Sequence, residues 1–516
     1  MNTPEKAGIV KRFLQKMKDP EQRQLFYTIF GAKIIGLALL FMLVKVVPAF
    51  LSGTPAHADV TTTAGAMAPG MAMPAAAATP APDPAYVNPI NTMWTLVAAF
   101  LVFFMQAGFM MLEAGFARSR ETVNVLLEGI VDTCLCGLLF YAWGFAWMFS
   151  SGNGWIGFEK GYFFLNNLPA TYGSTGVATL AYFLFQFAFA DCASTITSGA
   201  MVGRTSFWGD LWYSLGVSGF IYPIMGHWAW GPDGWLNTIK PAAFHDFAGS
   251  TIVHTIGGAL ALAGAVVLGP RLGRKFKNQG GGPMPGHDMT IAAIGGVILW
   301  FGWYGFNPGS TLSAMDLQGC ARVAANTTLA ACAGALSALF YVYPRTKVWD
   351  AGSTINGFLA GLVAITCPCY WVSPGGSIII GLIAGVVAVM ATDLLEKLHI
   401  DDPVGAVPVH MVAGIWGTLS LGLFATGTFG LPTTTGADNS AGMVVTGLFY
   451  GGGLSQFWAQ CIGSAAIGGA TLVAGFILMG FLNMVGVLRA AKEVEAGGLD
   501  MHEHGGPAYP EYLIHK

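Results

Sequence analysis

The chain has 516 residues, of which 54% are hydrophobic and only 10% charged, with a mean hydropathy of +0.58. Soluble domains carry about 25% charged residues, so this composition excludes a string of water-soluble domains and indicates a polytopic membrane protein. A formal net charge of −3 gives no basic surface for nucleic acid, and 71 glycines suit helices that approach closely in lipid.

Residues 1–33 are polar and basic, and an apolar core follows from Ile34 to Val44. A core this short, followed by Ala56-His57-Ala58, reads as a signal peptide over 1–58 cleaved after Ala58. The alternative is an uncleaved N-terminal anchor, because apolar character continues to about Leu51. The Ala/Pro/Thr/Met-rich stretch 59–88 reads as a disordered tether. A membrane domain over 89–490 and a C-terminal tail over 491–516 complete the organisation.

From Asn91 onward, long apolar runs alternate with short loops. The pattern predicts helices over 91–116, 123–149, 175–203, 207–230, 247–269, 289–307, 320–342, 352–369, 374–396, 403–427 and 445–490. Most are close to the ~20 residues that cross a bilayer, and the last is long enough to tilt or extend past it. The fold class is therefore all-α and polytopic, with eleven transmembrane helices. Arg118, Arg120, Arg204, Arg271, Arg274, Lys275, Lys277, Arg345, Lys347, Lys397, Arg489 and Lys492 fall in one set of loops. Only Lys160, Lys240 and Arg322 fall in the other. The positive-inside rule then puts the mature N-terminus outside and the C-terminus in the cytoplasm of a cell that holds the protein in its inner or plasma membrane.

Two stretches repeat one design. Asp246 precedes Val253-His254-Thr-Ile-Gly-Gly258, and Asp402 precedes Val409-His410-Met-Val-Ala-Gly414. Each histidine lies eight residues past its aspartate, about 12 Å along a helix. The fifth and tenth spans run in opposite directions, so both imidazoles sit close to the middle of a ~30 Å hydrocarbon core. Spans one to five and six to ten then form two inverted five-helix repeats, followed by the long eleventh helix. An ionisable ring inside a membrane helix marks a pathway by default. The remaining structural reading is a simple hydrogen bond between helices.

Neutral imidazoles each offer one donor and one acceptor, which suits a small polar solute stripped of water or a proton relay. No carboxylate or thiolate falls where a third metal ligand would, and Cys134, Cys136, Cys367 and Cys369 form no four-ligand set, so no metal and no cofactor is expected. Above the histidines the topology gathers His227-Trp-Ala-Trp230 and Trp303-Tyr-Gly-Phe306-Asn-Pro-Gly-Ser310. Aromatic faces attract cations, and the alternative for Trp228 and Trp303 is an interfacial aromatic belt.

These residues together resemble the Amt/Mep/Rh ammonium transporter family, in its Amt branch. The resemblance covers roughly residues 91–508 and rests on linked motifs. They are Asn91-Thr-Met-Trp94, Met111-Leu-Glu-Ala-Gly115, Phe185-Gln-Phe-Ala-Phe189, Asp246-Phe-Ala-Gly249 with His254, Trp300 to Ser310, and Asp401-Asp-Pro403 with His410. The resemblance implies a homotrimer of eleven-helix protomers, each with its own pore. It implies that Trp230 and Ser310 recruit ammonium with Phe189, that Phe189 and Phe306 form a gate, and that His254 and His410 line the pore. Asp246 matches the acid that stabilises the recruitment site. Residues 498–504 resemble the family's regulatory tail, and Gly269 to Arg274 match the side where PII signalling proteins bind.

Two features depart from the pattern. Val202-Gly203-Arg204 stands where the family reads Ala-Glu-Arg, and Asp191 is an unexpected acid two residues beyond Phe189 that should point away from the pore. Glu113, Glu128 and Asp132 read as interfacial or capping acids. The function implied is transport: ammonium loses its proton near the gate and crosses as ammonia, with no enzymatic step. The alternative is an ammonium sensor with little flux. Sensors of this kind carry a fused signalling domain after the last span, and only about 25 residues follow residue 490 here.

Overall fold

The structure, a computed structural model, describes residues 85–429 and 444–510. The expected signal peptide over 1–58 and most of the tether over 59–88 lie outside the described residues.

Among the described residues, eleven helical stretches carry the apolar runs: α1 (Val87–Phe116), α2 (Ser119–Phe149), α3 (Thr179–Gly199), α4 (207–230), α5 (Ser250–Leu268) and α6 (Met289–Thr311), then α7 (Leu317–Thr346), α8 (Ala351–Thr366), α9 (Pro374–Leu398), α10 (Val407–Phe424) and α11 (Ser455–Met484). Nine of them, among the described residues, are long and apolar enough to cross a membrane. The other two are α8, with 16 residues, and α4, which a π-helical turn at Val217–Ile221 interrupts. Between α2 and α3 lie two small antiparallel ribbons. In one, β1 (Gly152–Asn153) pairs with β2 (Ile156–Gly157); in the other, β3 (Thr171–Tyr172) pairs with β4 (Val177–Ala178).

Local chemistry explains the helix starts. Side chains of Ser206, Asp288, Asp316, Asp350 and Ser373 accept backbone N–H bonds at the first turns of α4, α6, α7, α8 and α9. Several expected limits shift. The last helix covers 455–484 rather than 445–490, because 444–454 forms a turn around Gly451 and Gly453 at φ +89 and +67. Helices α5 and α10 begin at 250 and 407, three to four residues later than expected. There the chain first loops so that an aspartate carboxylate collects the free N–H groups.

Close backbone contact joins α1 to α6. A Cβ at Gly115 would lie 2.5 Å from the Ala292 nitrogen, and one at Gly295 would lie 2.4 Å from the Leu112 nitrogen. Without a hydrophobic drive between helices in lipid, such contact is what lets dispersion hold them.

At one end of the bundle, the segment after α5 is clamped to the segment before α10. The buried Asp401 carboxylate accepts from the Arg271 backbone nitrogen at 3.0 Å and from its guanidinium at 2.8 and 3.0 Å, with Arg274 Nε at 3.3 Å. Burial acts to raise the Asp401 pKa, but the hydrogen bonds and charge of Arg271 outweigh it and hold the group well below the usual carboxylate range. Arg274 also pairs with Glu396. Both arginines of the 269–274 loop are thus turned inward on acids.

The tail docks at the same end. Helices α12 (Lys492–Gly497) and α13 (Leu499–Glu503) follow a break after α11. The Asp500 carboxylate accepts the Val123 and Asn124 backbone N–H groups at 3.1 and 3.0 Å, and Glu503 accepts that of Phe207 at 2.6 Å. Two acids of the tail therefore cap α2 and α4.

Replacing Asp401 with alanine leaves Arg271 buried without its partner, a loss of about 3–5 kcal/mol. Thermal unfolding in detergent should show it. Because the folded-state pKa is depressed, the parent's contribution is present above about pH 4 and disappears as pH falls through the folded pKa. The difference in unfolding temperature between parent and Asp401→Ala should therefore shrink on acidification.

Candidate functional site

The site is built where α5 and α10 begin, deep in the bundle. A helix start leaves four N–H groups without partners, and inside a membrane no water can serve them. Asp246 solves this for α5. Its carboxylate accepts from the backbone nitrogens of Gly249, Ser250, Thr251 and Ile252 at 3.0, 2.9, 2.8 and 2.9 Å. Asp402 repeats the arrangement for α10, accepting from Gly405, Ala406 and Val407 at 2.9, 3.1 and 2.9 Å. The helices open with π turns at Ser250–Thr255 and Val407–Val412, and each turn carries its histidine.

The crossing of the two starts is reciprocal. A Cβ at Gly258 would meet the Met411 nitrogen at 2.3 Å, and one at Gly414 would meet the Ser250 oxygen at 2.4 Å. Each glycine stands four residues past a histidine, so its missing side chain is what allows the rings to meet. His254 Nδ1 and His410 Nδ1 lie 3.2 Å apart, with ring centroids at 5.3 Å. One Nδ1 donates and the other accepts. That fixes the outer nitrogens: the donor ring keeps a bare Nε2 acceptor, and the acceptor ring carries its proton on Nε2. Both rings are buried.

An aromatic file continues from the pair. His254 stacks on Phe306 at 5.3 Å and on Trp303 at 5.1 Å. Phe306 stacks on Phe189 at 3.9 Å and 20°, and Phe189 meets Trp230 edge-on at 6.1 Å. Trp230 Nε1 donates to the Asp246 backbone oxygen at 2.8 Å. Ser310 Oγ donates to the Phe306 oxygen at 2.8 Å, and the Ser310 side chain remains slightly accessible at 8%. On the far side, Phe109 lies 6.4 Å from His410, and a small cavity there is lined by Phe109, Glu113, Asn356 and Val409. All seven residues singled out in the sequence, Trp230, Ser310, Phe189, Asp246, Phe306, His254 and His410, therefore fall in or against one file.

Other residues sit differently from expectation. Trp303 is fully buried beneath His254, with its Nε1 donating to Thr366 Oγ1 at 2.9 Å. Trp228 packs against Trp155 and Trp235. Trp303 is thus turned into the bundle and is no part of a lipid-facing belt. Glu113, Glu128 and Asp132 are not interfacial caps but buried, at 4%, 4% and 1% exposure. Glu113 accepts from Ser198 at 2.9 Å. The space beside Gly203, which has no side chain, is filled by Glu121: a Cβ at Gly203 would lie 2.6 Å from its carboxylate. Glu121 pairs with Arg118, and Arg204 donates to the backbone oxygens of Gly269, Ala200 and Asp401 at 2.8, 2.9 and 2.7 Å.

The model of the Ammonium Transporter Family matches residues 93–509. The chain belongs to the ammonium transporter family. It is 42% identical over 432 residues to ammonium transporter Amt2 of Archaeoglobus fulgidus, covering 82% of this chain and 89% of that one. A putative ammonium transporter of Synechocystis is 39% identical, over 81% and 88% of the two chains. Among solved structures, a sensor Amt protein superposes with a TM-score of 0.72 at 37% identity, covering 81% of this chain and 98% of that one. Candida albicans Mep2 superposes with a TM-score of 0.70 at 26% identity, over 78% and 87%. Family membership and the apolar helices make the chain a multi-pass membrane protein.

Asp246 is the residue on which this transporter-family site turns. Asp246→Ala orphans four buried N–H groups, each costing about 1–3 kcal/mol, and should lower the unfolding temperature sharply in detergent. Asp246→Asn keeps one acceptor oxygen and should fall between alanine and the parent; equal stability of all three would contradict the capping role.

Proposed function

We propose that the protein is an ammonium transporter in which the aromatic file and the imidazole pair form the conduction path. The reading places the Trp230 end outside and the Asp401 end in the cytoplasm of an inner or plasma membrane. It gives the protein eleven spans in two inverted halves and a homotrimeric state. The tail and the inner loops are the surface for a PII-type signalling partner, reached through the docked tail because Arg271 and Arg274 are held by acids.

The steps follow from the chemistry of the groups. Ammonium is drawn to the faces of Trp230 and Phe189, an attraction of about 0.5–2 kcal/mol, with the Ser310 hydroxyl oxygen as acceptor. Passage requires the stacked Phe189 and Phe306 rings to part. A bare cation has no carboxylate to follow it along the file, because the Asp246 oxygens are occupied by four backbone N–H groups. The species that continues is therefore neutral ammonia. Ammonia donates to the bare Nε2 and accepts from the protonated one, so the two tautomers of His254 and His410 suit it in sequence.

The observation that carries this reading is the unbroken run Trp230, Phe189, Phe306, His254, His410. A second reading, an ammonium sensor with little flux, draws on the likeness to the solved sensor Amt protein. Uptake by reconstituted vesicles separates the two. His254→Ala removes one hydrogen bond to the solute, about 1.4 kcal/mol, and should slow ammonium uptake about tenfold with the protein folded. Equal uptake by both would reject the path, and negligible uptake by the parent would favour the sensor.

A further inference from the structure

The last helix, α11, turns many of its large apolar side chains outward, among them Trp458, Ile477 and Phe481. One stripe of it differs. Gln456, Gln460, Gly463 and Ser464 recur three and four residues apart, which puts them on one helix face, and all four are buried. Amides inside a span must find protein partners, since no water is there to serve them.

The stripe grips the stretch that leads into α5. Gln460 Oε1 accepts the His245 backbone N–H at 2.9 Å, and Gln460 Nε2 donates to the His245 backbone oxygen at 2.6 Å. One turn earlier, Gln456 Nε2 donates to the Ala243 oxygen at 3.0 Å and to Gln460 Oε1 at 3.0 Å. Between these points the Phe244 ring lies over Gly463, where a Cβ would run into it. Gln460 Nε2 also donates to the Thr418 backbone oxygen of α10 at 3.2 Å. The two lone pairs and two hydrogens of this amide are thus all used, and turning it over would set donors against donors.

His245 precedes the first turn of α5, so no helix ladder serves it. Side chains do so instead: Gln460 for both peptide groups, with the Cys367 thiol on the oxygen at 3.3 Å. Two bonds from one rigid amide fix orientation as well as place. The neighbouring links are single, from the Phe244 N–H to the Leu236 oxygen at 3.1 Å and from the Phe247 N–H to the Cys367 oxygen at 3.4 Å. One residue beyond His245 stands the Asp246 backbone oxygen that receives Trp230 Nε1 at 2.8 Å. The Asp246 carboxylate is engaged with the turn ahead of it, so the setting of this oxygen is left to the segment behind it.

We propose that Gln460 is a positioning residue for the recruitment of ammonium: through the His245 backbone it sets the Asp246 oxygen, and with it the Trp230 indole. The proposal rests on the transport reading. Gln460 touches no solute. Its loss weakens the taking up of the cation at Trp230 and leaves the passage past His254 and His410 as it was, because the Asp246 carboxylate still caps α5.

Uptake by reconstituted full-length protein, measured over a range of ammonium concentrations, tests this. Gln460→Met keeps the length of the side chain and removes both bonds to His245. It should raise the half-saturating concentration about fivefold, the factor that one net hydrogen bond is worth, while the maximal rate stays within about twofold of the parent's. In a Trp230→Phe background, which lacks the indole N–H, the same substitution should add nothing, since residues acting through one contact are not additive. An unchanged half-saturation in folded Gln460→Met protein overturns the proposal. A fall in maximal rate alone, or the full effect retained without the indole, overturns it too and marks a packing role. Should Gln460→Met not fold, Gln456→Leu removes the brace on the Gln460 amide and is judged by the same outcomes. A parent that takes up no ammonium overturns the transport reading beneath the proposal.

Discussion

One carboxylate carries the architecture of the site. Asp246 accepts four backbone N–H groups, which is the full set a helix start leaves open. That allows α5 to begin inside the bundle instead of at its surface. The same residue holds Trp230 through its backbone oxygen, so the indole and the histidine-bearing turn are fixed to one point. Asp402 does the corresponding work for α10. The meeting of His254 and His410 follows from two capped starts and two glycines that let them cross.

Much of this was readable beforehand, for a definite reason. The aspartate-to-histidine interval is a spacing along one helix, and helical rise converts spacing to depth. Opposite helix direction then brings two equal depths together. Glycine at the fourth position past each histidine was visible too, but its partner across the crossing was not, because nothing in one helix names the residue on another. The same limit hid Trp303. A tryptophan near the end of a span reads equally as an interfacial anchor or as a floor beneath a ring, and only the packing of α5 against α6 decides. Glu128 and Asp132 were misplaced likewise: their facing residues on α4 lie about 80 positions away.

The molecule thus has two buried polar regions of opposite character. Along the file, aromatic faces and imidazoles meet at 3.9 to 6.1 Å, and His254 Nε2 is left without a partner. Between α2 and α4, buried carboxyls and hydroxyls of Asp132, Asp210, Ser214 and Ser218 gather with oxygens left unengaged. The departure at Gly203 shows similar economy, since Glu121 from α2 occupies the room left by the absent side chain.

The docking of the tail has a consequence for how the molecule is made. Asp500 and Glu503 complete the first turns of α2 and α4, some three hundred residues and more upstream. During synthesis those turns emerge long before the acids that finish them. The early hairpins must therefore wait, incompletely closed, until the ribosome delivers the final stretch of polypeptide, and only then can the bundle lock.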